Sequence, residues 1–431
     1  MKSADKKIFG LVSSVLLLLT FGFLTEESCR SELTEEKLSA RAGELHQRIL
    51  TVDTHCDTPM MMVRPGWDIG VRHEPGLRES GKVDLVRMKE GGLDALFFSI
   101  YVAQGPRTPE GYTKAYERAK QLIAAVHSMV KDYPQQVALA LQPEDAYSLK
   151  KEGKRAAFMG MENGYPLGLE ISRLKEFYDS GIRYLTLCHS QDNDICDSST
   201  DRNEPEDKGL SAFGREVVAE CNRLGIMVDV SHISDKSFWD VLDVSQAPVI
   251  ASHSSCRALC DSPRNLSDEM IKALARKGGV IQICFLSSYL RPPRPNPERD
   301  KALQELEARY GGNIRSIQDE ALRQKAMEEL AEIRRRFPAE MATVRDVVDH
   351  VEHVIKLVGI DYVGIGTDFD GGGGVDGCND VSEMYRVTVE LLRRGYGEKE
   401  IAKVWGGNVM RVFRQVIETS RRLQAETTGK S

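Results

Sequence analysis

The feature that most constrains the fold of this 431-residue chain is a regular alternation of short apolar runs with longer amphipathic stretches. Strands alternating with helices indicate parallel pairing, because the intervening helix carries the chain back to the start of the next strand. About eight such repeats in roughly 400 residues predict an α/β fold, a single (β/α)8 TIM barrel. The eight predicted strands are 49–55, 94–102, 156–162, 183–189, 226–232, 248–253, 279–285 and 362–368.

The clearest predicted helix covers 343–359. Thr343 can cap it, Asp346 stands at the capping-box position, and Gly359 ends it. Valine and isoleucine recur between them at helical spacing, which indicates one buried face. His350 and His353 are three residues apart on this helix, and we expect a solvated face there rather than a metal site.

The largest insertion into the barrel pattern is the charged helical segment 292–338. It begins with a proline-rich turn and contains no metal-binding pattern. We expect a helical segment exposed to solvent. The alternatives are that it covers the active site or contacts a second subunit.

The charge balance excludes a nucleic-acid partner. Lys plus Arg total 58 against 65 for Asp plus Glu, a formal net charge of -7, so the chain has no basic excess to hold a polyphosphate backbone. The nine cysteines are scattered through a long chain, which does not fit a disulfide scaffold.

The N-terminus resembles an export signal. Lysines among the first seven residues precede an apolar run over 8–24, and two glutamates follow it. We expect a signal peptide or N-terminal anchor over 1–28 and a catalytic domain over 29–431, exported to the periplasm or cell envelope. Cys29 stands where a bacterial lipoprotein carries its acyl chains, although Glu26 fits a lipobox poorly. Lipidation and an ordinary leader or anchor therefore both stay open, as does membrane attachment.

Potential metal ligands stand at the ends of six predicted strands. In a barrel, the carboxyl ends of the strands converge on one rim, where active sites of this fold lie. Asp57 follows His55 by two residues, so both side chains point to the same side. The six strand-end residues are His55, Glu162, His189, His232, His253 and Asp368.

Imidazole and carboxylate groups suit zinc, and one carboxylate can bridge two ions through its two oxygens. We therefore predict two Zn ions per subunit. His55, Asp57 and Glu162 would hold one ion, and Glu162, His232 and His253 the other. A water shared by the ions would lose a proton near neutral pH, and the metal-bridging hydroxide would then act as a nucleophile in hydrolysis.

Three further residues are predicted to act on the substrate. Asp368 would move the proton to the leaving nitrogen, with Asp370 as the nearby competitor for that role. His189 would polarise the substrate carbonyl. Arg264 follows the sixth predicted strand, where its guanidinium could hold a substrate carboxylate through two parallel hydrogen bonds.

These residues stand in motifs that resemble those of the membrane dipeptidase (renal dipeptidase-like) zinc metallopeptidase family, over about residues 49–413. The motifs are His55-Cys-Asp57, Gly160-Met-Glu162-Asn-Gly, Tyr184-Leu-Thr-Leu-Cys-His189, Asp229-Val-Ser-His232, Ser252-His253-Ser-Ser, Arg264-Asn, Gly364-Ile-Gly-Thr-Asp368-Phe-Asp-Gly, Gly406-Gly-Asn408 and Arg411-Val-Phe.

The resemblance implies hydrolysis of the peptide bond of dipeptides, tolerance of a D-residue on the C-terminal side, and a homodimer. It also implies binuclear zinc ligation by His55, Asp57, Glu162, His232 and His253, substrate binding by His189 and Arg264, and proton handling by Asp368. No apolar tail follows Arg422 to justify a glycolipid anchor.

Two other functions stay open from the sequence. One is a related binuclear metal amidohydrolase acting on another small amide or a lactone. The other is a non-catalytic envelope binding protein that kept the barrel, against which the complete set of expected ligands argues. Neither a Gly-x-Ser-x-Gly elbow nor a nicotinamide-binding fingerprint occurs, so serine hydrolase and dehydrogenase functions lack support.

Overall fold

The structure is a computed structural model that describes residues 34–428 except 75–79, 202–205, 293, 313, 315–316, 318 and 338–339. The predicted leader or anchor over 1–28 and Cys29 lie outside the described residues. Among the helices within them, none combines the length and apolar character that crossing a membrane requires.

One parallel sheet forms the centre of the molecule. Eight strands follow one another in the order β1-β2-β4-β5-β6-β7-β8-β9, and β3 pairs only with β4 outside this path. A parallel bridge between Cys56 and Phe369 joins β1 to the segment after β9, so the sheet curls into a nearly closed barrel. This confirms the predicted (β/α)8 fold class. The strands are β1 (Val52–Cys56), β2 (Ala95–Tyr101), β3 (Val137–Leu139), β4 (Arg155–Glu162), β5 (Ile182–Thr186), β6 (Met227–Asp229), β7 (Ile250–Ser254), β8 (Val280–Ile283) and β9 (Val363–Ile365).

Helices surround the barrel and close its lower end. Their bounds are Glu35–Arg48, Pro59–Met62, Leu85–Glu90, Pro109–Asp132, Pro143–Lys151, Arg173–Asp179, Ala212–Leu224, Asp235–Val244, Asp268–Arg276, Ser287–Leu290, Pro297–Arg309, Glu320–Arg336, Val344–Val358, Tyr385–Arg393, Glu398–Ala402 and Asn408–Thr428.

The core has two layers because successive strand residues point to opposite faces of the sheet. Phe97 of β2 packs inside the barrel with Phe158, and Phe413 of the helix Asn408–Thr428 belongs to the same cluster. The alternate residues, such as Leu96 and Phe98, belong to the cluster between the barrel and its surrounding helices. The inner cluster fills the lower barrel and leaves the carboxyl ends of the strands open for polar groups.

Three strands end three residues earlier than the sequence predicts. β5 ends at Thr186, β6 at Asp229 and β9 at Ile365, so His189, His232 and Asp368 lie in the loops that follow. Positive φ angles at His232 (73°) and Asp368 (61°) are incompatible with a continuing strand. β3, with three residues, is too short for its periodicity to show in the sequence.

The helix Val344–Val358 has the predicted capping box between Thr343 and Asp346. The expected solvated face is wrong for His350, which is buried and accepts at Nδ1 from the backbone N–H of Cys256. Its Nε2 lies 2.8 Å from the carbonyl oxygen of Leu290. His350 thus ties this helix to the loop after β7 and to the short helix Ser287–Leu290, a role that only the tertiary structure reveals.

The inserted segment contains two helices, Pro297–Arg309 and Glu320–Arg336, which pack on each other. Leu306, Ile314 and Ala326 form a small apolar cluster of their own between them. The insertion therefore has its own small core, separate from the two clusters of the barrel.

Candidate metal centre

The predicted ligands converge around the side chain of Glu162, the last residue of β4. Its Oε1 lies 3.1 Å from Nε2 of His232 and 3.4 Å from Nε2 of His253. Its Oε2 lies 3.4 Å from Nε2 of His55, which is in turn 3.6 Å from Oδ2 of Asp57. One carboxylate therefore faces two groups of donor atoms through its two oxygens.

The distances define three overlapping groups, each with its donor atoms within 4.8 Å of one another. They differ in part from the grouping expected from sequence, because His253 falls in a group with His55, and His189 falls in the group of His232. The imidazole rings of His55 and His253 are 3.8 Å apart, and Nε2 of His232 is 2.8 Å from Nε2 of His253. The groups are His55–Glu162–His253, Glu162–His189–His232 and His55–Asp57–Asp368.

The donor set fits a cation. Nε2 of His55 and Oδ1 of Asp57 are buried and have no hydrogen-bond partner among the described residues. Buried polar atoms normally have a hydrogen-bond partner or a metal ligand bond, so these unpaired atoms indicate a partner that the protein itself does not supply. Imidazole nitrogens and carboxylate oxygens directed at one point are the ligands of divalent transition metals.

The electrostatics of the cluster favour the same conclusion. Burial raises the pKa of Asp57 to about 6, with a further contribution from Glu162. Burial and the neighbouring Asp57 raise the pKa of Asp368 well above its usual value. Burial opposes ionisation of Glu162 too, but the charge of His55 and the polar contacts with His232 and His253 outweigh it and hold its pKa well below the usual range. Crowded carboxylates of this kind are stabilised by positive charge.

The histidines are held in the neutral form that a metal ligand needs. Burial, assisted by the charge of His55, lowers the pKa of His253 to about 3. Burial and the charge of Arg264 lower the pKa of His232 well below its usual value. His55 is the exception: burial acts against the imidazolium, but Tyr184 and Glu162 raise its pKa well above the usual value.

A hydrogen-bond relay that the sequence analysis did not predict orients His253. Asp229 accepts the hydroxyl hydrogen of Ser252 at 2.6 Å, and the Ser252 oxygen lies 2.8 Å from Nδ1 of His253. Nδ1 must then donate, which leaves the lone pair of Nε2 directed at Glu162. A polar residue within a buried strand, such as Asp229, is the only signal in the sequence for this relay.

A hydrogen bond at Nδ1 also orients His55. The hydroxyl of Tyr184, on β5, lies 2.8 Å from its Nδ1. The phenol ring crosses the barrel at Gly160, where an added Cβ would lie 2.0 Å from the ring. Ser99 of β2 donates to Oε2 of Glu162 at 3.1 Å. Neither Tyr184 nor Ser99 is recognisable from the sequence as a residue that supports the metal site.

The two aspartates after β9 have different surroundings. Oδ1 of Asp368 lies 4.0 Å from Nε2 of His55, inside the cluster. Asp370 points away: its Oδ2 accepts from the Thr58 hydroxyl and its Oδ1 from the Lys82 N–H, both at 2.7 Å. The geometry therefore favours Asp368 over its competitor for work on the substrate.

The cluster forms the floor of a cavity of about 370 Å³. His189 lies at its wall, with Nε2 3.8 Å from Oε1 of Glu162. Arg264 also lines it and is only 3% exposed; its Nη2 donates to the carbonyl oxygen of His253, and its Nε has no partner among the described residues. A buried guanidinium with an unused N–H suits an anionic group of a ligand.

The chain matches the family model described as "Membrane dipeptidase (Peptidase family M19)" over residues 39–427. Among the curated relatives, the dipeptidase tcpJ of Claviceps purpurea is 34% identical over 372 residues, which cover 84% of this chain and 76% of that protein. The uncharacterized dipeptidase C965.12 of Schizosaccharomyces pombe is 29% identical over 91% of this chain and 88% of that protein.

Solved structures agree in fold and family. The probable dipeptidase PvdM from Pseudomonas aeruginosa superimposes with a TM-score of 0.80 at 35% identity, covering 89% of this chain and 99% of that one. A metallo peptidase from Rhodobacter sphaeroides, liganded with a phosphinate mimic of the dipeptide L-Ala-D-Ala, gives a TM-score of 0.68 at 25% identity, with 85% and 99% covered. With its barrel, its cluster of metal-ligand side chains and these matches, the chain belongs to the membrane dipeptidase family, peptidase family M19, whose members are metal-dependent hydrolases of peptide bonds.

Proposed function

We propose that the protein is a zinc-dependent dipeptidase with two Zn ions per subunit, acting on dipeptides that include those with a C-terminal D-residue. The observation that carries the proposal is the convergence of His55, His232 and His253 on the two oxygens of Glu162, beside the buried Arg264. A cavity of about 370 Å³ is of a size that suits a small ligand such as a dipeptide.

The proposed ligands are His55, Asp57 and Glu162 for one ion and Glu162, His232 and His253 for the other. Imidazole with carboxylate is a donor set typical of catalytic zinc, and few protein ligands per ion leave coordination positions for water and substrate. When bound, such ions lower the pKa of water to near neutrality and polarise the substrate carbonyl.

The residues of the chain supply the remaining steps. Asp368 accepts the proton of the attacking water and returns it to the leaving amine nitrogen, because its Oδ1 lies in the cluster, 4.0 Å from Nε2 of His55, and the residue is not one of the proposed ligands. His189 donates a hydrogen bond to the carbonyl oxygen of the scissile bond. Burial and the charge of Arg264 lower the pKa of this histidine, so it is neutral and donates from one nitrogen.

Arg264 holds the substrate carboxylate. Its buried guanidinium lies over the ring of Tyr289 at 5.3 Å, and this contact together with the bond to His253 fixes its position. A longer peptide could not bring its carboxylate to Arg264 while its first peptide bond lay at Glu162, which restricts hydrolysis to dipeptides. The ligand of the Rhodobacter sphaeroides metallo peptidase, a mimic of L-Ala-D-Ala, supports tolerance of a D-residue.

The wider context follows from the sequence. We expect a leader or anchor over 1–28 followed by one catalytic domain over 29–431, with the insertion at 292–338. The expected location is the periplasm or cell envelope, with attachment through the N-terminus, and the expected assembly is a homodimer.

A substrate panel tests this function. Purified protein with zinc is assayed on Ala-Ala, Ala-D-Ala, an N-acyl amino acid and a small lactone, with release of alanine or ring opening as the readout. The proposal predicts hydrolysis of both dipeptides. Turnover of the lactone or the N-acyl amino acid without dipeptide hydrolysis would favour the related amidohydrolase function instead.

A further inference from the structure

A second cavity of about 420 Å³ adjoins the active-site cavity. Met60 and Tyr101 line both, so these two residues lie between them. The rest of its lining is mostly apolar and includes Ala103, Pro106, Ala115 and Tyr165. An apolar cavity that shares a wall with a reaction site is suited to a nonreacting part of the substrate.

The two residues of the dividing wall belong to different elements. Tyr101 ends β2, and its ring packs edge-on against His189 at 4.7 Å. Met60 lies in the short helix Pro59–Met62, three residues after Asp57, and is partly exposed. The unbranched methionine side chain changes rotamer readily, so a passage between the two cavities can open without movement of the barrel.

The orientation of a bound dipeptide follows from the barrel order. Arg264 follows β7, and Tyr101 ends β2, which is four strands away in the ring of eight. The two residues therefore lie on opposite sides of the rim, with Glu162 between them. A dipeptide with its carboxylate on Arg264 and its peptide bond at Glu162 extends its N-terminal residue toward Met60 and Tyr101.

We propose that this second cavity is the subsite for the side chain of the N-terminal residue, and that the protein prefers dipeptides in which this side chain is large and apolar. The inference rests on the proposed dipeptidase function and on the carboxylate lying at Arg264. Each methylene group that enters such a pocket improves discrimination by about tenfold or more.

The charges at the cavity define the preference further. Lys114 and Arg118 line it from the helix Pro109–Asp132, one helical turn apart. Their positive charges repel a cationic side-chain end. Methionine and lysine side chains have similar lengths, so Met-Ala should be a good substrate and Lys-Ala a poor one.

The test measures kcat/KM for Met-Ala, Lys-Ala and Ala-Ala with the zinc-loaded full chain. Ala103 is an exposed residue at the rim of the cavity, and Ala103→Trp would fill it. The matched control is Ala124→Trp, at an exposed position on the helix Pro109–Asp132 that does not line the cavity. We expect Ala103→Trp to lower the ratio of Met-Ala to Ala-Ala by about tenfold, and the control to leave this ratio as in the wild type.

The outcomes separate the subsite from the function on which it rests. A wild-type enzyme that hydrolyses Ala-Ala but shows no preference for Met-Ala, or a ratio that Ala103→Trp leaves unchanged, overturns the subsite alone. Equal rates for Met-Ala and Lys-Ala overturn the role of the two cations. Failure to hydrolyse any of the three dipeptides contradicts the dipeptidase function itself.

Discussion

The hydroxyl oxygen of Tyr184 lies 2.8 Å from Nδ1 of His55, and both side chains are buried inside the barrel. This bond fixes the imidazole with Nε2 turned toward Glu162, 3.4 Å from Oε2. In metal sites generally, a hydrogen bond at the second ring nitrogen orients a ligating histidine. Tyr184 is therefore a positioning residue for the proposed metal centre.

Tyr184→Phe should weaken metal binding while preserving the fold, because the ring still fills the space beside Gly160. We expect a loss of about 10–100-fold in zinc affinity, measured by competition with a chromophoric chelator. Tyr133→Phe is the matched control, since its hydroxyl bonds to Asp68 on the surface. Equal affinities in the Tyr184 variant and the wild type would contradict the role assigned to this bond.

Asp368→Asn should lower kcat by about 10²–10⁴-fold with little change in metal content, because the amide cannot accept the proton. Asparagine also tolerates the left-handed conformation found at this position, with φ 61°. The measurement is steady-state hydrolysis of Ala-Ala together with elemental analysis. A variant with wild-type kcat would exclude Asp368 from proton transfer.

Arg264→Lys should raise KM for Ala-Ala by about tenfold or more, since an ammonium group cannot reproduce the two-pronged grip on a carboxylate. The amide of the same dipeptide lacks that carboxylate, so the substitution should change its kcat/KM much less. Comparing the two substrates in the wild type and the variant isolates the contact. Equal losses on both would mean that Arg264 acts through the structure of the site.

The stability of the fold should depend on the protonation of His46. Burial lowers the pKa of this histidine to about 4, although Asp94 acts in the opposite direction. Its ring packs against Trp405 and bonds to Thr388 at 2.7 Å. Between the usual pKa of about 6.5 and the folded value, the unfolded chain binds more protons, so the free energy of unfolding falls as the pH decreases through this range.

Protonation of His46 does not lower the free energy of unfolding above about pH 6.5. Between that pH and pH 4 it lowers this free energy by up to about 3 kcal/mol. Urea unfolding near pH 7 and near pH 5 measures this loss, and His46→Gln should lose less stability than the wild type over the same interval. The same pH dependence in both proteins would show that other groups dominate.

The sequence was sufficient to predict the barrel, because apolar runs such as those around Phe97 and Phe158 alternate with amphipathic helical stretches along most of the chain, although the short β3 was missed. It also identified the residues that meet at the rim, since candidate metal ligands such as Glu162 and His253 stand at the carboxyl ends of apolar runs. The resemblance to the dipeptidase motifs strengthened both predictions, and the fold and the family are confirmed.

What could not be predicted depends on tertiary contacts. His232 and Asp368 adopt left-handed conformations that the sequence does not signal, and the strands end before these residues. The support of His253 by Asp229, and the burial of His350 between a loop and a short helix, join residues that are far apart in the sequence. No periodic pattern records such pairings.

The most direct test of the account is the metal content of the purified protein, measured together with hydrolysis of Ala-Ala. We expect about two zinc ions per chain in the wild type, loss of activity on chelation with recovery on adding zinc, and a marked loss of bound zinc in Glu162→Gln. Full dipeptide hydrolysis by protein that elemental analysis finds free of metal would contradict the account.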